Sequence, residues 1–355
     1  MIAKHKLLYW LRLVLTWWMA IFLFGFFRHY GWPERMAFSP QYLIEPALDF
    51  SLALVVGTGY FAIELLLNRK EFMRLSFLWW AGLKSILQFI LAVALFATAI
   101  KLYPLFNGAV AQDLTLGEFL GSKLMVVVLL YFVLVSLLIT LFQRMHQKVG
   151  PGILGNMLVG KYHRPREEER IFLFIDLRDS TPIAERLGHL SFSQLIQDCF
   201  ADVTDAVLHH QAEIYQYVGD EVILCWKTKP GLKQNNCIAA FFEFDRILAR
   251  RSRYYQTTYG LHPQFKAAAH IGRTTVAEVG VVKRELAYHG DVLNTTARIQ
   301  SKCNELGEQL LISPDLASRL DLEADYLLHE YPPVELVGKR YSLPVTGVRA
   351  RTLPV

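Results

Sequence analysis

Asp176 and Asp220 are the first residues whose type and position suggest a chemistry. Asp176 ends the apolar run of "IFLFIDLRDSTPIAERLG", and Asp220 follows a single glycine in "EIYQYVGDEVILCW", between two runs that both read as buried strand. Each has a plain reading of its own, since Gly-Asp is ordinary hairpin chemistry and Asp176 can be a helix cap. Together they suggest more, because central strands of one sheet can bring two such ends side by side. After Asp176, Ser180 and Thr181 are candidate helix caps, with Pro182 at the first helical position. Two carboxylates at a sheet edge, beside a helix N-terminus that can seat phosphate, make a site for divalent metals holding a polyphosphate. A third segment, "AYHGDVLNTTARIQSKCN", puts Asn294 and Arg298 four apart on a predicted helix and so on one face. A neutral donor and a guanidinium on one face suit a phosphoryl group that gains charge in a transition state. Glu221, next to Asp220, reads as a turn residue or a support for its neighbour.

The elements around these residues alternate helix, hairpin, helix and strand, which is α+β with a mostly antiparallel sheet. The first 143 residues are different. The whole chain of 355 residues is 53% hydrophobic, and the excess lies in four runs, 7–27, 50–67, 78–100 and 124–142, that approach or exceed the length of a membrane span. The first run carries Arg12, is followed by Arg28 and has no small-residue cleavage site, so it reads as a retained anchor. Lys4, Lys6, Arg69, Lys70, Arg74, Arg144 and Lys148 flank the runs on one side, against Arg28, Arg35, Lys101 and Lys123 on the other. That asymmetry places both termini and everything after the last run in the cytosol. Glu64 and Lys84 fall inside the second and third runs, where adjacent antiparallel helices can pair them or let both snorkel.

The four cysteines, Cys199, Cys225, Cys237 and Cys303, all follow the last span without metal-type spacing, as expected of reduced thiols with packing roles. The net charge of +5 is accounted for by membrane-proximal basic residues, and no nucleic-acid partner follows from it. Between 143 and 170 a basic helix end, a Gly-Pro-Gly break at 150–152, a short amphipathic helix and a charged run form a structured linker.

These residues resemble the class III nucleotidyl cyclases, and more narrowly the membrane-anchored bacterial adenylate cyclases. "FLFIDLRDST" looks like the first metal-aspartate motif, "YVGDEVIL" the second, "AAAHIGRTTVAEVG" the glycine-bearing strand pair and "GDVLNTTARI" the transition-state helix, over residues 149–348. The resemblance implies a four-helix transmembrane domain at 1–143, a helical linker at 144–169 and a ferredoxin-like βαββαβ catalytic domain at 170–355. It also implies an inner-membrane homodimer with active sites shared between chains, making cyclic AMP and pyrophosphate from ATP. Asp176 and Asp220 would bind two Mg2+ or Mn2+, with the backbone carbonyl of Leu177 as a further ligand. Asn294 would orient the ribose, and Arg298 would reach the reacting phosphate from the other chain. Lys339, in "VELVGKRYSLPV", falls where the family places a basic residue for the terminal phosphates.

Two positions depart from the family. The base-selecting lysine, four residues before Asp220, is Gln216, and its partner, seven before Asn294, is Ala287. Glutamine both donates and accepts, so adenine remains readable and guanine stays open. The alternatives are a guanylate cyclase and a catalytically silent nucleotide-binding receptor. A diguanylate cyclase would need a Gly-Gly-Asp/Glu-Glu-Phe turn where this chain has "VGDE".

Overall fold

The computed structural model describes residues 2–30, 41–67, 77–107, 123–149, 155–156, 159–334 and 342–351. The chain divides into two compact units, Met1–Lys148 and Val149–Val355. Lys339 and the glycine-proline break at 150–152 lie outside the described residues.

The first unit holds four long helices, α1 (Ile2–Tyr30), α2 (Gln41–Leu67), α3 (Phe77–Asn107) and α4 (Lys123–Val149). Among the described residues three have stretches long and apolar enough to cross a membrane: Leu7–Phe26, Asp49–Leu67 and Val126–Gln143. The expected third span lies in α3, whose apolar stretch is the shorter Gly82–Leu95. Within that helix the polar Lys84 and Gln88 turn into the helix cluster and are buried. Lys84 Nζ lies 2.6 Å from Glu64 Oε2 and donates to Gln143 Oε1 at 3.0 Å. Gln143 Nε2 in turn donates to the Tyr9 hydroxyl at 2.8 Å, so one polar cluster draws a side chain from each helix. Gln88 is bonded by the Ser136 hydroxyl of α4. Elsewhere the contacts are apolar. Trp17 is fully buried against Tyr60 and Phe132, with ring centroids at 4.5 and 5.1 Å. Gly57 brings α2 so near α1 that a Cβ there would meet the Val14 backbone at 2.9 Å.

The second unit is one eight-stranded sheet: β1 (Arg166–Leu177), β2 (Glu213–Val218), β3 (Glu221–Lys227), β4 (Phe265–Val279), β5 (Glu285–His289), β6 (Leu310–Ile312), β7 (Tyr326–Val334) and β8 (Leu343–Ala350). The strand order is β2-β3-β1-β4-β6-β8-β7, with β5 paired to β4. Every pairing is antiparallel except β4 with β6. The helices are α5 (Ser180–His209), α6 (Asn236–Arg250), α7 (Ser252–Tyr259) and α8 (Asp291–Leu306).

Strand β1 is buried on both faces, as a continuous apolar run in a central strand should be. Ile171, Leu173, Ile175 and Leu177 pack with Leu195 and Val203 of α5 and Phe241 and Phe244 of α6. Phe172 and Phe174 face the other way, toward Ile223, Val276, Tyr288 and Val292 of α8. All four cysteines are buried and unbridged.

At its start β1 is tied down by charge. Glu168 accepts from Lys161 Nζ (3.0 Å) and the Tyr162 hydroxyl (2.9 Å) on one oxygen, and from Arg170 Nε (2.9 Å) and Nη2 (2.7 Å) on the other. Burial alone would raise its pKa, but these bonds outweigh it and hold the carboxyl at about 2 against an ordinary 4.5. A carboxyl depressed in the folded state stabilises it above the unfolded value, and that stabilisation is lost as pH falls through the folded one. In melting curves of the second unit, Glu168→Gln should therefore lower the midpoint at pH 7 and flatten its decline between pH 4.5 and 2.

The buried ion pair of the first unit gives a second test. Glu64→Leu strands the Lys84 charge and should cost roughly 3–5 kcal/mol, whereas Glu64→Leu combined with Lys84→Leu should recover most of it. Thermal unfolding of the detergent-solubilised protein reads both, and equal losses would show that the pair contributes no coupling.

Candidate active site

The site is built at the C-terminal end of β1. Asp176 pairs in register with Glu221 of β3 on one side and with Lys266 of β4 on the other. The β2–β3 hairpin closes on the pair Val218 and Glu221, leaving Gly219 and Asp220 as a two-residue loop. Gly219 takes a φ of 62°, the positive value that tight hairpin loops demand and that glycine adopts without strain. The hairpin thus carries Asp220 to the end of β1, where its side chain is within hydrogen-bond reach of Asp176.

Three carboxylates therefore meet at this sheet edge, with Lys266 as the cation facing them, 3.3 Å from Asp176 Oδ2. The electrostatics show the strain of that arrangement. Asp176 is raised above the usual carboxylate range by burial and then by the Asp220 charge, with Lys266 pulling the other way. Glu221 is pushed up to about 7, again by burial first; the nearby Gln300 amide of α8 opposes this, while the Asp176 and Asp220 charges add to it. Carboxyls such as Asp176 and Glu221, raised by burial and then by neighbouring negative charge, are the kind a divalent cation relieves, so these oxygens fit such a metal. Among the described residues no group of three or more His, Cys, Asp or Glu forms a ready-made cage. The carboxylates are then a part-site, to be completed by other oxygens such as those of a polyphosphate.

The start of α5 differs from the expectation. Asp179, not Ser180 or Thr181, is the capping residue, with a φ of 53° and no side-chain capping bond. Ser180 and Thr181 are the first two helical residues, which puts Pro182 third rather than first. Proline is accepted there because the N–H groups of a first turn have no partner within the helix. Leu177 ends β1 with its side chain in the core.

Helix α8 begins one residue after Gly290, whose close approach to the Arg273 carbonyl leaves a Cβ only 3.0 Å of room. Val292, Thr295, Thr296, Ile299, Gln300 and Cys303 form its buried side. At ~100° per residue, Asn294 and Arg298 project from the opposite side. Asn294 is exposed and Arg298 half-buried, and among the described residues neither side chain makes a hydrogen bond or ion pair. The pair shares a face, as its spacing predicted, but that face points away from the α8 residue, Gln300, that meets the carboxylates of the same chain.

Gln216 lies exposed on β2, opposite Ile223, and Ala287 lies on β5, opposite Ala277. Lys266 and Gln300 escaped the sequence reading. The only signal for the first was a lysine leading the otherwise apolar "KAAAHIG", and for the second its place on the apolar side of α8.

Residues 163–346 match the family described as the adenylate and guanylate cyclase catalytic domain, and the chain belongs to it, a class III nucleotidyl cyclase. Among its relatives, adenylate cyclase 2 of Rhizobium meliloti (strain 1021) is 34% identical over 226 residues, 64% of this chain and 62% of that protein. Adenylate cyclase 1 of the same organism is 26% identical over 152 residues, 41% of this chain and 22% of that one. The chain thus spans less than two thirds of the length of either. A bacterial light-regulated adenylyl cyclase has the same fold, with a TM-score of 0.52 and 16% identity over 61% of this chain and 64% of that one.

The raised Glu221 carboxyl has a consequence for the metal-free protein. An acid whose folded pKa lies above its unfolded value destabilises the fold at high pH, and the penalty fades as pH drops from about 7 to 4.5. With EDTA present, Glu221→Gln should raise the melting midpoint of the catalytic unit at pH 8, by about 2–4 °C for each kcal/mol relieved, and have little effect at pH 4.5. A pH-independent change would mean that the carboxylate cluster is not the cause.

Proposed function

We propose that the chain is an integral-membrane adenylate cyclase that acts as a homodimer and converts ATP to 3',5'-cyclic AMP and pyrophosphate. One observation carries this reading: the carboxylates gather at one edge of the chain while Asn294 and Arg298 face away from them. Such a chain holds two halves of a site that two copies can complete reciprocally. The β1-α5-β2-β3-α6-β4 order, with β1 between β3 and β4, supports the ferredoxin-like assignment of the catalytic core.

In this reading the ribose 3'-oxygen bonds to the α-phosphorus while the bond from that phosphorus to the bridging oxygen of pyrophosphate breaks. The hydroxyl proton passes to solvent. Asp176 and Asp220, with the Leu177 carbonyl, hold two Mg2+ or Mn2+, which when bound activate the hydroxyl and neutralise the leaving group. Ser180 and Thr181 in the first turn of α5, and Lys339, receive phosphate oxygens. From the second chain Asn294 orients the ribose, and Arg298, which has no competing partner among the described residues of its own chain, meets the charge that develops on the reacting phosphate. Gln216 reads the base, with the small Ala287 at the second base-selecting position. Its amide can satisfy guanine as well as adenine, so GTP is the second substrate to test.

The membrane assignment rests on the three apolar helices together with α3. At ~1.5 Å per residue the 31 residues of α3 reach ~46 Å, beyond the ~30 Å hydrocarbon core. Lys84, the charged residue within the apolar run 78–100, is hidden from lipid by Glu64 and Gln143. Four spans with the basic flanks inward put both termini and the catalytic unit in the cytosol.

Full-length protein with Mn2+ should release cyclic AMP from ATP, and Asp176→Ala, Asp220→Ala and Arg298→Ala should each abolish it. Mixing Asp176→Ala with Arg298→Ala chains should restore about half the wild-type activity per heterodimer, because one of the two interfaces then carries neither lesion. No cyclic product from either ATP or GTP would overturn the enzymatic reading. Proven heterodimers as inactive as their parents would overturn the shared site.

A further inference from the structure

Gln216 faces the α8 side of the sheet only because β2 is irregular. Glu213 pairs with Cys225 and Ile214 with Leu224, but Gln216, not Tyr215, pairs with Ile223. Tyr215 is therefore an extra residue, a bulge. Residues paired across a ladder share a face, and Ile223 belongs to the cluster under α8. Without the bulge, Gln216 would pair with Val222, which belongs to the core under α5 and α6.

The extra residue is held by rings and charge from two other strands. Tyr215 meets Tyr288 of β5 edge to face, centroids 4.8 Å apart at 87°, and lies 6.3 Å from Phe172 of β1. Tyr288 and Phe172 also meet edge to face, at 5.4 Å and 81°. Arg170, 1% exposed, stands over the Tyr288 ring at 5.5 Å and donates from Nη1 to Glu213 Oε2 at 3.0 Å, which fixes the first residue of β2. The Cys225 thiol lies 3.8 Å from the Tyr288 hydroxyl. The two tyrosines are chain neighbours of Gln216 and Ala287, the two positions that the functional reading assigns to the base.

We infer that Arg170, Phe172, Tyr215 and Tyr288 form a buried positioning unit that locks the bulge of β2 and so determines which purine base Gln216 accepts. These residues touch no reacting atom. They act through Gln216, and the inference rests on the cyclase reading above. The base does not react, so loosening the unit should weaken and blur base recognition while leaving the chemical step intact.

The test uses full-length protein in nanodiscs, with steady-state cyclisation of ATP and of GTP and with binding of the fluorescent mant analogues of both. Tyr288→Leu removes the ring between Arg170 and Tyr215. It should raise KM for the preferred nucleotide about tenfold and shrink the kcat/KM ratio between the two nucleotides by a similar factor, with kcat within about twofold of wild type. Tyr288→Phe keeps the ring and should keep the wild-type KM and ratio. Tyr215→Leu, on a half-exposed edge-strand residue, should repeat the Tyr288→Leu pattern and carries the test if Tyr288→Leu does not fold. A lowered kcat with KM and ratio unchanged in a folded variant would mark the rings as packing alone and overturn the inference. If the wild type binds nucleotide but does not turn it over, the cyclase reading fails alone, and the Kd ratios for the two analogues decide this inference in the same way. If it binds neither nucleotide, both fall.

Discussion

Repulsion among Asp176, Asp220 and Glu221 is the constraint on which the catalytic unit depends. Carboxylates that raise one another's pKa do not stay together unless the backbone leaves them no alternative. Here the backbone is held by β1, hydrogen-bonded on both edges and buried on both faces, so its last residues cannot yield without disturbing two hydrophobic clusters at once. Lys266 offsets part of the charge, and the amide of Gln300 lies near Glu221 without neutralising it. What remains is an excess of negative charge with a fixed geometry, held at some cost to the stability of the fold.

The same strand carries a second polar group at its other end. Arg170 lies on the same face of β1 as Phe172, Phe174 and Asp176, since these alternate residues point one way. One face of a single strand thus runs from a buried guanidinium through two aromatic rings to the carboxylates. The guanidinium is tolerated because Glu168 and Glu213 take its donors and the Tyr288 ring takes its face. Through these partners β1 fixes where β2 begins and where β5 lies, so the carboxylate end and the strands β2 and β5 are held by one element.

In the first unit the polar problem is solved differently. No backbone register is available there to place the charges, and Glu64, Lys84, Gln143 and Tyr9 are brought together only by packing of the helices. In a hydrocarbon surrounding an unpaired charge is expensive, so the pair selects the helix arrangement that satisfies it. Close approach at Gly57 and the Trp17, Tyr60 and Phe132 contacts supply the apolar part of the same packing.

Much of the site was legible locally. An apolar run ending in aspartate, a Gly-Asp loop between two strands, and an asparagine and arginine four apart on a helix are short-range patterns, because hairpin loops and helix faces depend on residues near in sequence. The apolar runs of the first unit and the uncrosslinked cysteines were legible for the same reason. Tertiary structure decided the rest. Which residue faces Asp176 depends on strand register, so Lys266 and Glu221 became its neighbours only once β4 and β3 had paired with β1. The bulge at Tyr215 arises from rings supplied by β1 and β5, far away in sequence, and it reverses the face on which Gln216 appears. The burial of Lys84 and Gln88 likewise depends on partners from other helices that no local window contains. Propensity and periodicity act over a few residues, whereas register, burial and charge pairing are set by whichever distant segments exclude water together.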